Sequence, residues 1–510
     1  MADSQLATAF RRFMRHSLEP SSGGPESTAA ATRRRARSTA LLAVLSALLT
    51  ACFWTAPAVA DGLSEGRFLI ERIVVEGVER AAPELIVAES LIEPGTEVSE
   101  SELRDAVYRI ERLPFVLAAE FSLRRGSERG RYELVVTVQE LRRFVFGENL
   151  VVTRFTNSVS FNTLFAEDWT ISPGGLVGMR FFAGDSDVFF VSAAAARGLQ
   201  AGWSHYGLFG GRRGVLDVGI ESRSGGPVEV YPLGLDPTFS SWRSDSGGEA
   251  LQVGFGLPLS ARTGLRLDAR VSRDDGGERR NLLGDSRRAR ATLGYSDLER
   301  AQLELAWSYD STDDPVFPGE GLEVDVAIDW QELDADLFLL PPRFLSPDVR
   351  PGEDLDVDVA VGEPLPHYAS DQVRLAASLA QHWRLAPRLS TSLSLRLAVG
   401  VGSVQNVPTL RETEAVSSVT LDLVSGDLDL FEGECSVRAS LDLWGPRLTR
   451  TRGDLRFELG ATFGYDRTSP QFDLPENPLY RKTISASLVF RNSWGLFRFS
   501  LQVADYGRGL

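Results

Sequence analysis

The side chains best suited to chemistry cluster in Tyr309–Gly321, YDSTDDPVFPGEG, where Asp310, Asp313 and Asp314 stand close together. Three carboxylates at that density suggest a hard-cation loop. Pro315 and Phe317 break the alternating ligand spacing such a loop needs, and the competing reading is a solvated turn. Elsewhere the chain lacks a GxSxG elbow, a Walker loop, an HExxH helix and a CxxC pair. His205 and His382 are isolated, and His367 sits in a Pro-rich turn. The expectation is a protein with no catalytic residue, no metal and no cofactor. Of the two cysteines, Cys52 and Cys435, only Cys435 remains if a leader is cut after Ala60, so no disulfide framework is expected.

The elements around this turn are strands. In Gly453–Asp466, GDLRFELGATFGYD, Leu455, Phe457, Leu459, Ala461, Phe463 and Tyr465 alternate with Asp454, Arg456, Glu458, Gly460, Thr462 and Gly464. A strand turns successive side chains to opposite faces, so this ribbon is apolar on one face and polar on the other. It is long for a soluble strand and suits a tilted span, which takes roughly 9–11 residues. The same pattern recurs at Gly264–Ser272, Gln302–Tyr309, Leu322–Trp330, Val373–Ala380, Leu393–Val399, Cys435–Trp444, Lys482–Phe490 and Phe497–Val503. About 16 such strands over residues 143–510 predict a transmembrane antiparallel β-barrel. Charged residues such as Glu304, Asp329, Arg374, Arg438 and Asp442 fall on the polar face. Trp307, Tyr309, Trp330, Trp444, Tyr465 and Trp494 suit interface girdles. Polar insertions at about Ser224–Gly247, Leu337–Asp354 and Asp466–Arg481 read as extracellular loops.

Net charge is −16 over 510 residues, and mean hydropathy is −0.09. An acidic chain is a poor partner for nucleic acid, whose phosphates demand a basic surface. Near-zero hydropathy is compatible with a barrel, whose lumen face dilutes its lipid face. Residues 1–60 read as a secretory leader. Arg33-Arg34-Arg35-Ala36-Arg37 precede the apolar run Ala40–Phe53, and Ala58-Val59-Ala60 offers a peptidase site. Leu49-Thr50-Ala51-Cys52 also fits a lipoprotein cleavage box, which would add an acyl anchor.

Residues 66–140 read as a small α+β unit of order strand–helix–helix–strand–strand. Phe68–Glu76 is the first strand and Pro83–Ile92 the first helix. Ser99 caps the second helix, with Glu102 completing a capping box. Leu103, Val107, Ile110 and Leu113 give that helix its apolar stripe, and Pro114 ends it. Phe115–Arg124 and Arg131–Gln139 are the last two strands. In the second, Tyr132, Leu134, Val136 and Val138 alternate with polar residues and are candidates to receive a client peptide by strand addition.

The unit, with "IVVEGV" at its start, "ELRDAVYRIERLPFVLAAEFSL" in its middle and "YELVVTVQE" at its end, resembles a POTRA domain. The segment Tyr309–Gly321 resembles the D-x-R-D-x-x-x-F-P-x-x-G signature of the BamA/TamA superfamily of outer-membrane assembly barrels, the bacterial surface antigen family. Asp310, Asp313, Phe317, Pro318 and Gly321 match, and Thr312 stands where the signature carries Arg. That family also has a V/L-R-G-F/Y loop folded back into the lumen. Here Phe431-Glu432-Gly433 and the strand Val437–Trp444 fit the layout, but Val424 replaces the Arg, leaving Arg438 as the nearby substitute. Phe497, Phe499, Leu501 and Val503 resemble the family's closing strand, although the chain runs on through Tyr506-Gly507-Arg508-Gly509-Leu510.

The resemblance implies an outer-membrane protein of a diderm bacterium, its POTRA domain in the periplasm. It implies insertion or translocation of unfolded outer-membrane or secreted polypeptides. The implied partners are those clients, outer-membrane lipids, and accessory lipoproteins or periplasmic proteins. The alternative is a passive pore or structural barrel that has lost the loop lock.

Overall fold

A computed structural model describes residues 66–113, 115–140, 142–156, 169–172, 176–183, 187–194, 198–206, 214–223, 228–230, 242–244, 248–260, 262–283, 289–314, 317–344, 365–412, 419–444, 454–470, 479–492 and 495–508. The expected leader, Cys52, and parts of the three polar insertions lie outside the described residues.

The N-terminal unit comprises β1 (Arg67–Glu76), α1 (Pro83–Ser90), β2 (Glu97–Ser99), α2 (Glu100–Glu111), β3 (Val116–Arg125) and β4 (Arg131–Glu140). The capping box forms as the spacing predicts. The Glu102 amide donates to Ser99 Oγ at 3.2 Å, and the Ser99 amide donates to Glu102 Oε2 at 2.6 Å. Leu103 and Ile110 of α2 pack with Ile70, Phe115, Leu134 and Val136 in one apolar core. The sheet order is β2-β1-β4-β3, with β1 and β4 parallel. Strand β4 is therefore an inner strand. Tyr132, Leu134, Val136 and Val138 cannot receive a peptide, because β1 and β3 already hold both edges of their backbone, and Leu134, Val136 and Val138 are core residues. The sequence pattern marks β4 as apolar but carries no information on which strand ends up outermost.

The barrel follows. Its first strands are β5 (Phe144–Thr156), β6 (Trp169–Ser172), β7 (Leu176–Ala183), β8 (Asp187–Ala194), β9 (Gly198–Tyr206) and β10 (Val215–Arg223). A small separate hairpin, β11 (Val228–Val230) and β12 (Trp242–Ser244), lies within the first polar insertion. The wall continues with β13 (Gly248–Pro258), β14 (Thr263–Leu283), β15 (Ala289–Asp310), β16 (Gly321–Phe344) and β17 (Tyr368–Ala386). It ends with β18 (Leu389–Glu412), β19 (Val419–Trp444), β20 (Asp454–Pro470), β21 (Leu479–Asn492) and β22 (Gly495–Arg508). Strands β16, β20 and β21 run into the stretches expected as loops, because their backbones stay in register with neighbours.

Sixteen segments make one sheet, and β22 also pairs with β5, so the sheet closes. Two segments share one position. Val151 of β5 faces Ser172 of β6, and Phe144 of β5 faces Met179 of β7, in one unbroken register. Among the described residues the ring therefore has fifteen positions. Neighbours along the chain are antiparallel, so an odd ring must bring its first and last strands together parallel. The register Gly495↔Phe146 through Asp505↔Thr156 is parallel.

Side-chain polarity changes along the taller strands. On the side nearer the N-terminal unit, outward residues are apolar and exposed, among them Leu267, Leu305, Ile328, Leu397, Leu459, Ile484 and Leu501. Inward residues there are polar and paired, as with Arg374 on Asp329 at 2.8 Å. Past the level of Val271, Ala301, Trp330, Val373 and Val401, the outward positions become Arg273, Glu299, Glu332, Asp371 and Ser403. The inward ones include Leu298, Leu333, Ala335, Tyr368 and Val404, all buried, with buried Asp274 and Ser370 among them. Strands β14–β19 are 19 to 26 residues long. A span uses roughly 9–11 residues, so their far halves stand clear of the bilayer and adopt the polarity of a water-soluble sheet.

That boundary is testable. Leu397→Arg, on the apolar band, should destabilise the reconstituted protein by about 2–4 kcal/mol, and Ser403→Arg, three turns of the pleat further out, by about 0–1 kcal/mol. Urea titration in vesicles compares them, and equal losses would move the boundary outward.

Candidate functional site

The turn between β15 and β16 is held by its own backbone and then by four arginines from elsewhere. The Ser311 amide donates to the Leu322 carbonyl and the Asp313 amide to the Glu320 carbonyl, at 2.9 and 3.1 Å. Asp310 Oδ1 accepts from the Thr312 amide and hydroxyl, at 2.8 and 2.7 Å. Asp313 Oδ1 accepts the amides of Gly319 and Glu320, at 2.7 and 3.0 Å. Gly321 has φ +122°, and a Cβ there would lie 2.6 Å from the Ser311 carbonyl oxygen. Only glycine fits that corner without displacing backbone.

The arginines converge on what remains. Arg112 of α2 donates from Nε and Nη2 to Asp310 Oδ2, at 2.9 and 2.6 Å, and from Nη2 to Thr312 Oγ1 at 3.1 Å. Thr312 takes the place of the signature arginine, and α2 supplies a guanidinium at that point in space. Arg384 of β17 pairs with Asp313 Oδ2. Arg491 of β21 pairs with both oxygens of Asp314 and with Asp454. Arg456 of β20 donates to the carbonyls of Phe317 and Pro318, at 3.0 and 3.2 Å, and to Asp442 at 2.7 Å. The Phe317 ring, 6% exposed, lies between the Arg456 and Arg491 guanidiniums, each 4.8 Å from its centroid. The carboxylates of the turn thus engage arginines and amides, an arrangement of a structural clamp rather than a cation cage.

Position along the ring gives the clamp its meaning. Strands β17, β18 and β19 separate β16 from β20. The turn therefore reaches across the barrel's end rather than along its wall. The N-terminal unit meets that same end. Tyr108 of α2 donates its hydroxyl to the Asp310 carbonyl, and Arg112 lies on the Tyr108 ring. Burial pushes the Tyr108 hydroxyl pKa up, which keeps it a donor. Buried Arg109 ties α1 to the barrel, donating to the Glu89 carbonyl and carboxylate at 2.9 and 2.8 Å and to the Ser260 carbonyl at 3.1 Å. Phe115 packs edge-on against Phe182 and Tyr206, whose register places them on the lumen face. The α2–β3 corner and the clamped turn together occupy the barrel's mouth.

All five signature residues, Asp310, Asp313, Phe317, Pro318 and Gly321, are brought together here. The loop-lock residues are not. Strand β19 is continuous through Val419–Trp444, so Phe431 and Gly433 are strand residues facing outward, opposite in phase to Arg438. Phe431 is exposed and stacks edge-on with Tyr465. Arg438 faces the lumen, 3.8 Å from Glu458, which also lies 3.4 Å from Arg498. Strand β19 pairs with β18 from Val419 to Leu441, with one register irregularity opposite Ser425, and with β20 from Leu428 on, so Phe431 and Gly433 are held in the wall on both sides. Phe497, Phe499 and Leu501 occupy outward positions on β22, and Val503 continues the same strand in register at the parallel seam. Sequence reasoning missed Tyr108, Arg109, Arg112, Arg384 and Arg491. Arg109 in the last turn of α2 and Arg112 at its C-cap were the available signal.

No family model matches this chain, and no curated protein matches it in sequence. Among solved structures it is similar to BamA from Haemophilus ducreyi lacking POTRA domains 1-3, at 10% identity and TM-score 0.36, over 86% of this chain and 84% of that one. CdiB from Acinetobacter baumannii overlaps at 10% identity and TM-score 0.31, over 86% and 74%. The ferric-catecholate import receptor Fiu from E. coli K12 overlaps at 11% identity and TM-score 0.29, over 74% and 68%. Overlaps this loose decide nothing about function.

Two outcomes test the docking. Arg112→Ala strips Asp310 Oδ2 and Thr312 Oγ1 of their donor, and should cost about 1–3 kcal/mol by urea unfolding while exposing α2 to protease. The second concerns Glu111, whose carboxyl burial raises in pKa and which accepts the Ala119 amide on the outer edge of β3 at 3.2 Å. A raised folded-state pKa favours the fold below the unfolded value and loses that contribution as pH climbs through the raised one. The Tm advantage of Glu111→Gln over wild type should therefore widen as pH rises above about 4.3. A flat or shrinking difference would remove burial as the dominant cause.

Proposed function

We propose that this chain is an outer-membrane assembly or translocation factor of the BamA/TamA kind, acting on unfolded polypeptides without covalent chemistry. In this reading the N-terminal unit is a POTRA domain on the periplasmic side, and the barrel passes clients into or across the membrane. The observation that carries it is the parallel seam between β5 and β22. Every other junction in the ring is antiparallel, and parallel pairing is somewhat less stable per residue. The seam also lacks a hairpin to hold it. One extra strand running toward the POTRA end would be antiparallel to both neighbours and would make the ring even. Capture by the POTRA sheet falls to β3, its ten-residue outer strand, rather than to β4.

The alternative, a passive or structural barrel, is favoured by one observation, the unbroken β19 where a fold-back loop is expected. The occupied mouth opposes it, since an open pore has no use for a domain corner held there by arginines.

Val151 and Ser500 are paired across the seam, so cysteines at both positions, in a chain with Cys435→Ser, should form a disulfide lock. Levels of other outer-membrane and secreted proteins should fall in cells carrying the oxidised variant and recover on reduction. A locked variant that sustains normal levels would sink the seam mechanism. Normal levels after complete depletion would leave the passive barrel.

A further inference from the structure

One stretch of the lumen wall is built differently from the rest. Gly202 of β9 and Gly219 of β10 are paired across the strands and face inward. A Cβ on either would meet nothing nearer than 3.6 and 4.0 Å, so the wall is recessed there. Two cavities of about 200 and 300 Å³ open along this recess and share Gln252 and Arg270. The larger is bordered by Phe190, Gln200 and Glu221, and the smaller by Asp268, Gln302 and Glu304. The Phe190 ring rests on Gly178, where a Cβ would come 2.8 Å from Cε2. The larger cavity alone reaches the lower end of the range of small-ligand sites, ~300–1,000 Å³.

The charges in this wall are spent on one another. Arg266 pairs with Asp217 and Asp268 at 2.9 and 2.6 Å, and Arg270 with Glu221 at 3.1 Å. The amides are spent only in part: Gln252 Nε2 donates to Asp268 Oδ1 and Gln200 Oε1 accepts from the Ser192 hydroxyl, each at 3.4 Å, which leaves each amide further hydrogen-bonding capacity. Gln252, Arg270, Gln302, Gln331 and Gln372 stand side by side in register across β13 to β17. Of this row Gln252, Arg270 and Gln302 line the cavities; Gln331 and Gln372 continue it beyond them, and Gln372, 2% exposed, has no hydrogen-bond partner for either amide atom among the described residues. Each amide offers donors and an acceptor, and a buried amide without partners is costly.

We infer that this recess is a binding site for a neutral carbohydrate. Hydroxyl groups both donate and accept, matching a row of amides and paired carboxylates, while an apolar ring face lies naturally on an aromatic such as Phe190. A free anion meets Glu221, Asp268 and Glu304, and the guanidiniums that would attract it are engaged. Two compact cavities side by side suit ring-shaped units better than a polypeptide threading through. The site stands on different residues from the seam and does not depend on the assembly reading.

The test uses the full chain purified in detergent, with maltotriose, cellotriose, chitotriose, an uncharged Gly-Ser peptide and sulfate as probes. Saturation-transfer NMR and calorimetry should show a trisaccharide binding in the millimolar range. Phe190→Ala and Gln302→Leu should each weaken it about tenfold, with heat-modifiable gel mobility intact. Leu397→Ala, on the outer wall, should leave it unchanged. Absence of binding by all three sugars, binding that survives both lumen variants, or binding of the peptide or sulfate alone would overturn the assignment.

Discussion

A sheet in hydrocarbon cannot leave backbone N–H and C=O groups unpaired, so it must close on itself. Most of this structure follows from that constraint. Within the bilayer the hydrocarbon makes the outer face apolar and draws charge to the lumen. The inner charges then meet one another across neighbouring strands, as Arg374 does with Asp329 and Arg456 with Asp442. The constraint says nothing about parity. A ring of fifteen positions satisfies it while leaving one junction parallel, and that junction is the one place where the wall differs in kind from the rest. The tall strands show where the constraint ends. Beyond the bilayer the same ribbons reverse their polarity, with acids outside and Tyr368 buried inside.

The clamped turn answers a second problem, how to fix a surface segment over a hole. Buried ion pairs contribute little net stability, since desolvation offsets attraction, but breaking one partner is costly. Such contacts select one arrangement rather than strengthen it. Phe317 between two guanidiniums, with its carbonyl accepting from one of them, can sit in one place only.

Much of this is legible in the sequence, and the reason is local. Period-two alternation, the Ser99–Glu102 box and the glycine at position 321 each report on a few neighbouring residues. Those features lie where the pattern puts them. What the pattern lacks is long-range pairing. Nothing in "YELVVTVQE" distinguishes an inner strand from an edge strand, and nothing in Val419–Trp444 signals that it runs as one strand. Arg112 and Asp310 are 198 residues apart, and no spacing rule connects them. The lumen recess is equally silent, because Gly202 and Gly219 become neighbours only once β9 and β10 pair.

The order in which these residues emerge during synthesis adds something else. Arg112 is made long before the turn it holds. Arg384 comes after the turn, and Arg456 and Arg491 arrive last. A chain completed only through β18 has Arg384 for Asp313 but lacks the Arg456 and Arg491 guanidiniums that hold Phe317 and Asp314. The clamp on the turn is complete only once β20 and β21 stand in the wall, so seating the turn and finishing the ring fall late together. A half-built cylinder already has its N-terminal unit docked through Tyr108, Arg109, Arg112 and Phe115, while the turn beside it still lacks two of its four arginines.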